Sequence, residues 1–431
     1  LIAEIHATNL THAIIGGYNA KTYSDALELA ELPRATSIKG VWRWWTRAAL
    51  AGAMACADGI NEIDWGEVRD KTKRLLGSTK RASKFTLELN LDPISDSLSS
   101  FGELKNVPRI FLLTQPTEEE VSEWAKGRGK LSKEQEREIK NKIRKYKEEK
   151  LKAYAPGKLK LTIRLKAVDV TTTEKEFLLG TLLLSLLFNG LGAISRRGFG
   201  KLEIRVNSRL GISKYIEQLT KCRDSRAVRE VIANLIKDVI TKAADILELQ
   251  IQNYDVEGMP DYPILVPPAN EDFTKILPTR LHIVRIKGSE VDILKKIGRA
   301  TLKNSWKGII GRFRFEYKKR IPGRGGDLHT WVLGLPRSVK GSGYLPSDTR
   351  RVSSIIVTPI IKNDNQWYVA VLGLLSRDWE IEVLEHSSRT EGKREVVNLP
   401  VASPKNVQLP KDEFIAQAFN SAFAFVVRCL Q

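Results

Sequence analysis

Histidine, cysteine and methionine are scarce in this chain of 431 residues, at five, three and two. The cysteines Cys56, Cys222 and Cys429 stand far apart and form no C-x-x-C pair. That pattern argues against a disulfide framework or a structural zinc site, and a reducing cytoplasm is the expected setting. The histidines His6, His12, His282, His329 and His386 have no metal-ligand spacing to one another or to a cysteine. Neither a metal nor another cofactor is therefore expected. No nucleotide-binding P-loop, nucleophile elbow or paired metal-binding carboxylates stand out. Long apolar runs are also missing. The longest, Phe177 to Phe188, is interrupted by Gly180, Thr181 and Ser185, and a bilayer span needs about 20 apolar residues. Leu1 to Ile5 carries Glu4 and no basic segment, so it reads as the start of a strand and not as a signal peptide.

What the chain has in abundance is charge of one sign. Seventy Lys and Arg against 51 Asp and Glu leave a net charge of +19, with a pI near 9.7. Such an excess speaks of partners and not of fold. Nucleic acid leads, because phosphates release condensed counterions when Lys and Arg neutralise them. An acidic membrane surface or an acidic protein would also fit. Hydrophobic residues make up 42%, enough for a globular protein, and the length points to two domains.

The chain reads as an α+β protein in which one element order occurs twice. Leu1 to Leu10 is a strand, and the IIGGYN segment at 14–19 breaks it. A helix follows over about Ile38 to Met54, with Thr36 or Ser37 as its cap. Lys84 to Leu91 and Gly157 to Val170 alternate as strands. Between them, Glu118 to Lys152 is a highly charged helical insertion. Glu174 to Asn189 is a Leu-rich buried helix, and a glycine loop leads into the strand Lys201 to Val206. Strand, helix, strand, strand, helix, strand is the ferredoxin-like βαββαβ order. Ser213 to Gln250 is helical and connects the halves. The order restarts with a strand at Leu281 to Ile286, a helix at Val291 to Lys307, and strands at Thr330 to Leu335, Ser354 to Ile361 and Gln366 to Leu372. It ends in the helix Asp412 to Val427. No closing glycine loop and strand follow, so the second half reads as incomplete or diverged. The expected domains are 1–208, a helical connector 209–260, and 261–431.

Four segments carry candidate chemistry. In GLGAISRRGFGKL (190–202), Arg196, Arg197 and Lys201 lie among four glycines, which suits backbone and side-chain contact with phosphate. A helix cap followed by a tight turn is the plainer reading. A dinucleotide fingerprint is excluded, since these glycines follow a helix and precede a strand. In PRATSIKGVWRWWTR (33–47), Arg34 stands at the helix start, where the dipole favours anions, and Lys39, Arg43 and Arg47 recur every four residues. Trp42, Trp44 and Trp45 could stack bases. Trp45 falls on the apolar stripe and is read as core; Trp44 lies off it. Over 303–324, Arg312, Arg314 and Arg320 alternate with Phe313, Phe315 and Tyr317, which fits either an RNA-binding strand or a core strand. VKGSGYLPSDTRR (339–351) is a basic Gly/Ser loop ending in Arg350 and Arg351. His12 could serve as a general base, although a lone histidine is more often structural.

IIGGYNA, LPRATSIKGVWRWWTRAA and GLGAISRRGFGKL together resemble RAMP-superfamily proteins of CRISPR systems. Within that superfamily they resemble the large two-domain subunit family of the type III-B (Cmr) effector complex. The resemblance extends more weakly through LGLPRS and RRVSS (333–338 and 350–354). It implies two tandem ferredoxin-like domains and a non-catalytic subunit that binds the 3′ portion of a CRISPR guide RNA. Such a subunit helps capture complementary target RNA beside other Cmr subunits. Carried over by position, the RNA contacts fall on Lys39, Arg43, Arg47, Arg196 and Arg197. The alternative is a metal-independent endoribonuclease that processes CRISPR precursor RNA, with His12 as its base.

Overall fold

The structure is a computed structural model. It describes residues 1–16, 32–91, 98–99, 101–116, 118–127, 131–151, 153–269, 275–302, 330–334, 337–339, 342–346, 353–379, 381–384, 394–395 and 411–431. The first half begins with β1 (Ala3–Asn9), α1 (Ala35–Asp58), α2 (Trp65–Leu76) and β2 (Phe85–Leu91). An insertion follows: β3 (Leu98–Ser99), α3 (Pro108–Leu113), α4 (Glu118–Trp124), α5 (Lys133–Lys150) and β4 (Ala153–Tyr154). Then come β5 (Lys160–Ala167), α6 (Thr172–Asn189) and β6 (Leu202–Asn207). Helices α7 (Lys214–Lys221) and α8 (Ser225–Leu247) lead to β7 (Thr279–Lys287) and α9 (Glu290–Thr301). The remaining elements are β8 (Arg337–Val339), β9 (Ser342–Pro346), β10 (Ile355–Asn363), β11 (Gln366–Leu374), β12 (Ile381–Leu384), β13 (Arg394–Glu395) and α10 (Lys411–Leu430).

Alternation builds the first sheet. In β1, Ala3, Ile5 and Ala7 face inward while Glu4, His6 and Thr8 face out, as a pleated strand with one buried face requires. The antiparallel order is β2-β5-β1-β6, the ferredoxin-like arrangement expected from the sequence. Helices α1 and α6 cover the inner face. A capping box of Thr171 and Glu174 starts α6, and its Leu run is buried almost all round because α8 packs on its far side. A Cβ on Gly180 would lie 2.5 Å from the Val239 side chain of α8. Helix α8 is therefore part of the first core and does more than connect the halves.

The second half repeats strand, helix, strand, strand, helix. Its sheet has the order β10-β11-β7, with three strands among the described residues. Helices α9 and α10 pack against it around Trp367, Phe419 and Phe423. The outer edge of β7 is covered: Arg229 of α8 donates to the Leu281 carbonyl at 3.2 Å, and the Val266 amide donates to Thr279 Oγ1 at 3.1 Å. A further antiparallel group, β13-β12-β9-β8, lies outside this sheet.

Several expected boundaries move. Helix α1 starts at Ala35 with Arg34 in the capping position and no side-chain cap. The expected caps Thr36 and Ser37 lie inside its first turn. Residues 330–333 form one 3-10 turn and not a strand. Helix α9 ends at Thr301. The charged insertion is two helices, with a capping box of Ser132 and Gln135 opening α5. The basic-aromatic segment 303–324 lies outside the described residues, as do Arg312, Arg314, Arg320, Arg350 and Arg351.

Basic side chains close the ends of four helices. A helix that stops inside a protein leaves its last carbonyls without partners. Arg43 donates to the Leu76 carbonyl at 2.7 Å and to that of Gly77, at the end of α2. Arg109 donates to the Thr301 carbonyl and, at 3.1 Å, to Thr301 Oγ1, at the end of α9. Lys71 reaches the Ile246 carbonyl of α8 at 2.9 Å. Lys201 donates to Leu186 at 3.4 Å and to Leu187, in the last turn of α6.

Two predictions follow from this packing. A Cβ on Gly52 would sit 1.7 Å from the Leu265 carbonyl oxygen, where the 264–266 segment crosses α1. Gly52→Ala is expected to lower stability by about 3 kcal/mol or more, read as a fall in the thermal midpoint. Lys201 is fully buried, and desolvation pulls its pKa down to about 7, against about 10 in an unfolded chain. Between those values the unfolded chain holds a proton that the folded chain does not, so stability rises with pH across that window. Urea unfolding at pH 7 and pH 9 should show this rise, on the order of 1 kcal/mol per pH unit, in the parent. In Lys201→Met it should be absent.

Candidate nucleic-acid interface

Between Pro33 and Ala57 the chain holds no carboxylate, so the first turns of α1 combine the positive end of the helix dipole with basic side chains that no carboxylate of the same helix segment offsets. Arg34 and Arg47 are exposed and Lys39 is half-buried. Partial burial, and then the neighbouring charge of Arg43, pull the Lys39 pKa below its usual value. Arg47 stays local, its Nε donating to the Arg43 carbonyl at 3.3 Å. Arg43 is committed elsewhere, because its guanidinium holds the end of α2.

The three tryptophans divide. Trp42 and Trp45 are fully buried. Trp42 Nε1 donates to the Leu178 carbonyl at 3.0 Å and to Thr181 Oγ1 at 2.9 Å. Trp45 Nε1 donates to Asn189 Oδ1 at 2.7 Å, and its ring stacks on Phe188 with centroids 5.3 Å apart. Neither ring can take a base. Trp44 is half-buried and meets Trp45 edge-on at 5.3 Å. The Arg196 guanidinium lies over it at 5.2 Å, a cation–π contact. The structure thus brings the first helix and the glycine loop together through Trp44 and Arg196, which the sequence offered only as separate segments.

One surface residue escaped the sequence reading. Ser37, Gly40, Trp44 and Arg47 recur at helical spacing along the outer side of α1. Among the described residues a Cβ on Gly40 would meet nothing within 4 Å, and Gly40 is exposed, so the helix backbone there is open to a ligand. A glycine inside a helix costs stability, and that was the available signal.

The glycine loop has another role than the one expected. Its backbone groups are occupied by the protein: Gly200 N donates to His12 O at 2.8 Å, Ala193 N to Ile14 O at 2.7 Å, and Leu191 N to Gly200 O at 2.8 Å. Gly200, at φ +61, lies so close to Leu191 that a Cβ would be 1.7 Å from its carbonyl oxygen. Arg197 is buried and donates to the Leu333 carbonyl at 3.0 Å and to that of Ile355. The expected phosphate contacts at Arg197 and Lys201 are corrected on this ground: each is buried and spends its donors on backbone carbonyls of the protein. Arg196 also reaches the second half, donating to the Ser353 carbonyl at 3.4 Å. The loop is a wedge between the two halves.

His12 belongs to the same seam. It is 2% exposed. Its Nδ1 lies 3.0 Å from Glu290 Oε2, and its amide donates to Oε1 at 2.9 Å. Buried there, it cannot reach an RNA 2′-hydroxyl, so the nuclease alternative loses its base. Among the described residues no group of three or more His, Cys, Asp or Glu is placed to hold a metal ion. No described helix is long and apolar enough to cross a membrane.

Residues 8–203 match the RAMP superfamily model. No curated protein matches the sequence. The fold is similar to that of Cmr1 from Pyrococcus furiosus in its apo crystal form, with a TM-score of 0.52, 18% identity, and 90% and 92% of the two chains covered. It is similar to a chain of the type III-B Cmr-beta cryo-EM structure with cognate target RNA and AMPPnP (state 2, in the presence of ssDNA), with a TM-score of 0.55, 17% identity and 100% of both chains covered. A second Cmr-beta structure, bound to cognate target RNA, gives 0.51, 15% identity and 99% of each chain. Over residues 8–203 the chain is similar to the RAMP superfamily, and along most of its length its fold is similar to that of Cmr1.

Proposed function

We propose that this protein is a non-catalytic RNA-binding subunit of a type III-B CRISPR (Cmr) effector complex, one that contacts the 3′ portion of the guide RNA and helps capture complementary target RNA. The observation that carries this reading is the outer side of α1. It holds exposed Arg34 and Arg47, half-buried Lys39, the partly open Trp44 ring with Arg196 over it, and bare backbone at Gly40. Phosphates on the basic groups would fix the strand along the helix without reading sequence. Trp44 would stack a base, and Gly40 would let the strand lie close to the helix. The target RNA bound by the two Cmr-beta structures supports the reading, as do the folds they share with this chain. Arg312, Arg314, Arg320, Arg350 and Arg351 are proposed as further contacts on their charge alone.

The test is a salt series of single-stranded RNA affinity with Arg34→Ala, Lys39→Ala and Arg47→Ala combined. The log–log slope is expected to fall by roughly 0.7 for each phosphate contact removed, with an unchanged thermal midpoint. Trp44→Ala is expected to lose about 1–3 kcal/mol of binding. Gly40→Gln separates binding from folding: it should raise stability by about 0.5–1 kcal/mol and still weaken RNA binding. Parental affinity and slope in the triple variant would remove this surface from the interface. Arg43→Ala is unsuited to the purpose, since it uncaps α2.

A further inference from the structure

The outward face of the first sheet holds a polar hollow that the α1 surface does not use. Register places its residues in two rows across three strands. One row is Thr162 of β5, His6 of β1 and Arg205 of β6. The next is Lys160, Thr8 and Glu203. Together they line a depression of about 300 Å³.

Charge on this face is unevenly matched. Arg164 is bonded to Glu4 at 2.7 Å, and Lys166 to Glu88. Lys160 forms no ion pair among the described residues, and the nearest carboxylate to Arg205 is Glu203, 3.9 Å away. Lys160, without an ion pair among the described residues, and Arg205, only loosely paired with Glu203, therefore fall on the two sides of this one hollow. Strand spacing and rise put their Cα atoms about 12 Å apart, diagonally across β1. Two long side chains extended over Thr8 span that gap. The Thr8 and Thr162 hydroxyls and the His6 ring, whose Nδ1 is 3.3 Å from Thr162 Oγ1, add short-range donors on the floor. His6 Nε2 is 3.2 Å from Glu4. No Phe, Tyr or Trp stands on the outward side of these three strands, and the His6 ring there is engaged by Thr162 and Glu4. Several donors converging with no ring left over for a base suit a compact oxyanion.

We propose that this hollow is a phosphate-binding site, gripped by Lys160 and Arg205 with Thr8, Thr162 and His6 beneath. The phosphate has two sources, a phosphodiester of single-stranded RNA or free inorganic phosphate. The first rests in part on the RNA-binding reading above; the second does not. Glu203 opposes the ligand, and its removal should tighten binding.

The full chain, Lys160→Ala with Arg205→Ala, and Glu203→Gln are compared with two probes. Fluorescence anisotropy follows a uridine dodecamer across a salt series, and NMR follows inorganic phosphate at the His6 ring. With RNA as source, the double variant should lose affinity about tenfold at low salt, with a slope smaller by about 0.7 for the one phosphate released. Glu203→Gln should move the other way, a gain that misfolding cannot imitate. If RNA affinity is unchanged but phosphate shifts His6 in the parent and not in the double variant, the source is free phosphate and the site stands. If the parent binds no RNA yet shows that phosphate response, the RNA-binding reading falls and the site survives. If both variants match the parent with both probes, the site does not exist.

Discussion

Helices that end inside a protein leave carbonyl oxygens that no backbone amide can reach, and this fold ends at least four of them there. The partners it uses are basic side chains. Arg43, Lys71, Arg109 and Lys201 each place donors on the last turn of a helix other than their own, where the negative end of the dipole adds to the attraction. Arg197 does the same for carbonyls of the second half. An apolar residue at any of these positions would bury the carbonyls without partners, at a cost larger than the hydrogen bond itself contributes. Placement of α2, α6, α8 and α9 depends on this device.

The same device divides the positive charge of the chain into two populations. One is structural, buried at Arg197 and Lys201 and half-buried at Arg43, Lys71 and Arg109, with its donors spent on carbonyls. The other lies at or near the surface and includes Arg34, half-buried Lys39 and Arg47 on α1, and Lys160 and Arg205 on the sheet. Net charge alone cannot separate the two, because a guanidinium counts the same whether it faces a phosphate or a carbonyl. Arg196 stands between them. It lies over Trp44 on the proposed RNA face and also bonds the Ser353 carbonyl of the second half.

The glycine loop shows how a motif can be read correctly as a turn and wrongly as a ligand cradle. Close backbone approach was expected and is present, but the group approached is the protein itself. Gly192 lies against the Ile14 carbonyl and Gly198 against Ile297, Leu294 and Pro359. With Phe199 packed beside Leu294 and His12 bonded to Glu290, the loop joins the two halves.

The sequence by itself determined the alternation of β1, β5 and β6, the capping boxes of α5 and α6, the repeated element order and the excess of basic charge. These are local properties, set by periods of two and 3.6 residues and by hydrogen bonds that span three or four positions. It also placed Trp45 in the core through its spacing on α1. Only the tertiary structure decided that Trp42 is buried, that Arg43, Arg197 and Lys201 serve carbonyls, and that Gly40 faces open space. It also decided that Lys160 and Arg205 flank one hollow across β1. Each of those outcomes depends on a partner 14 to almost 160 positions away or on the shape of a surface built from several elements. A contact of that kind is fixed by how the layers pack, and residue type and spacing along one helix or loop hold no record of it.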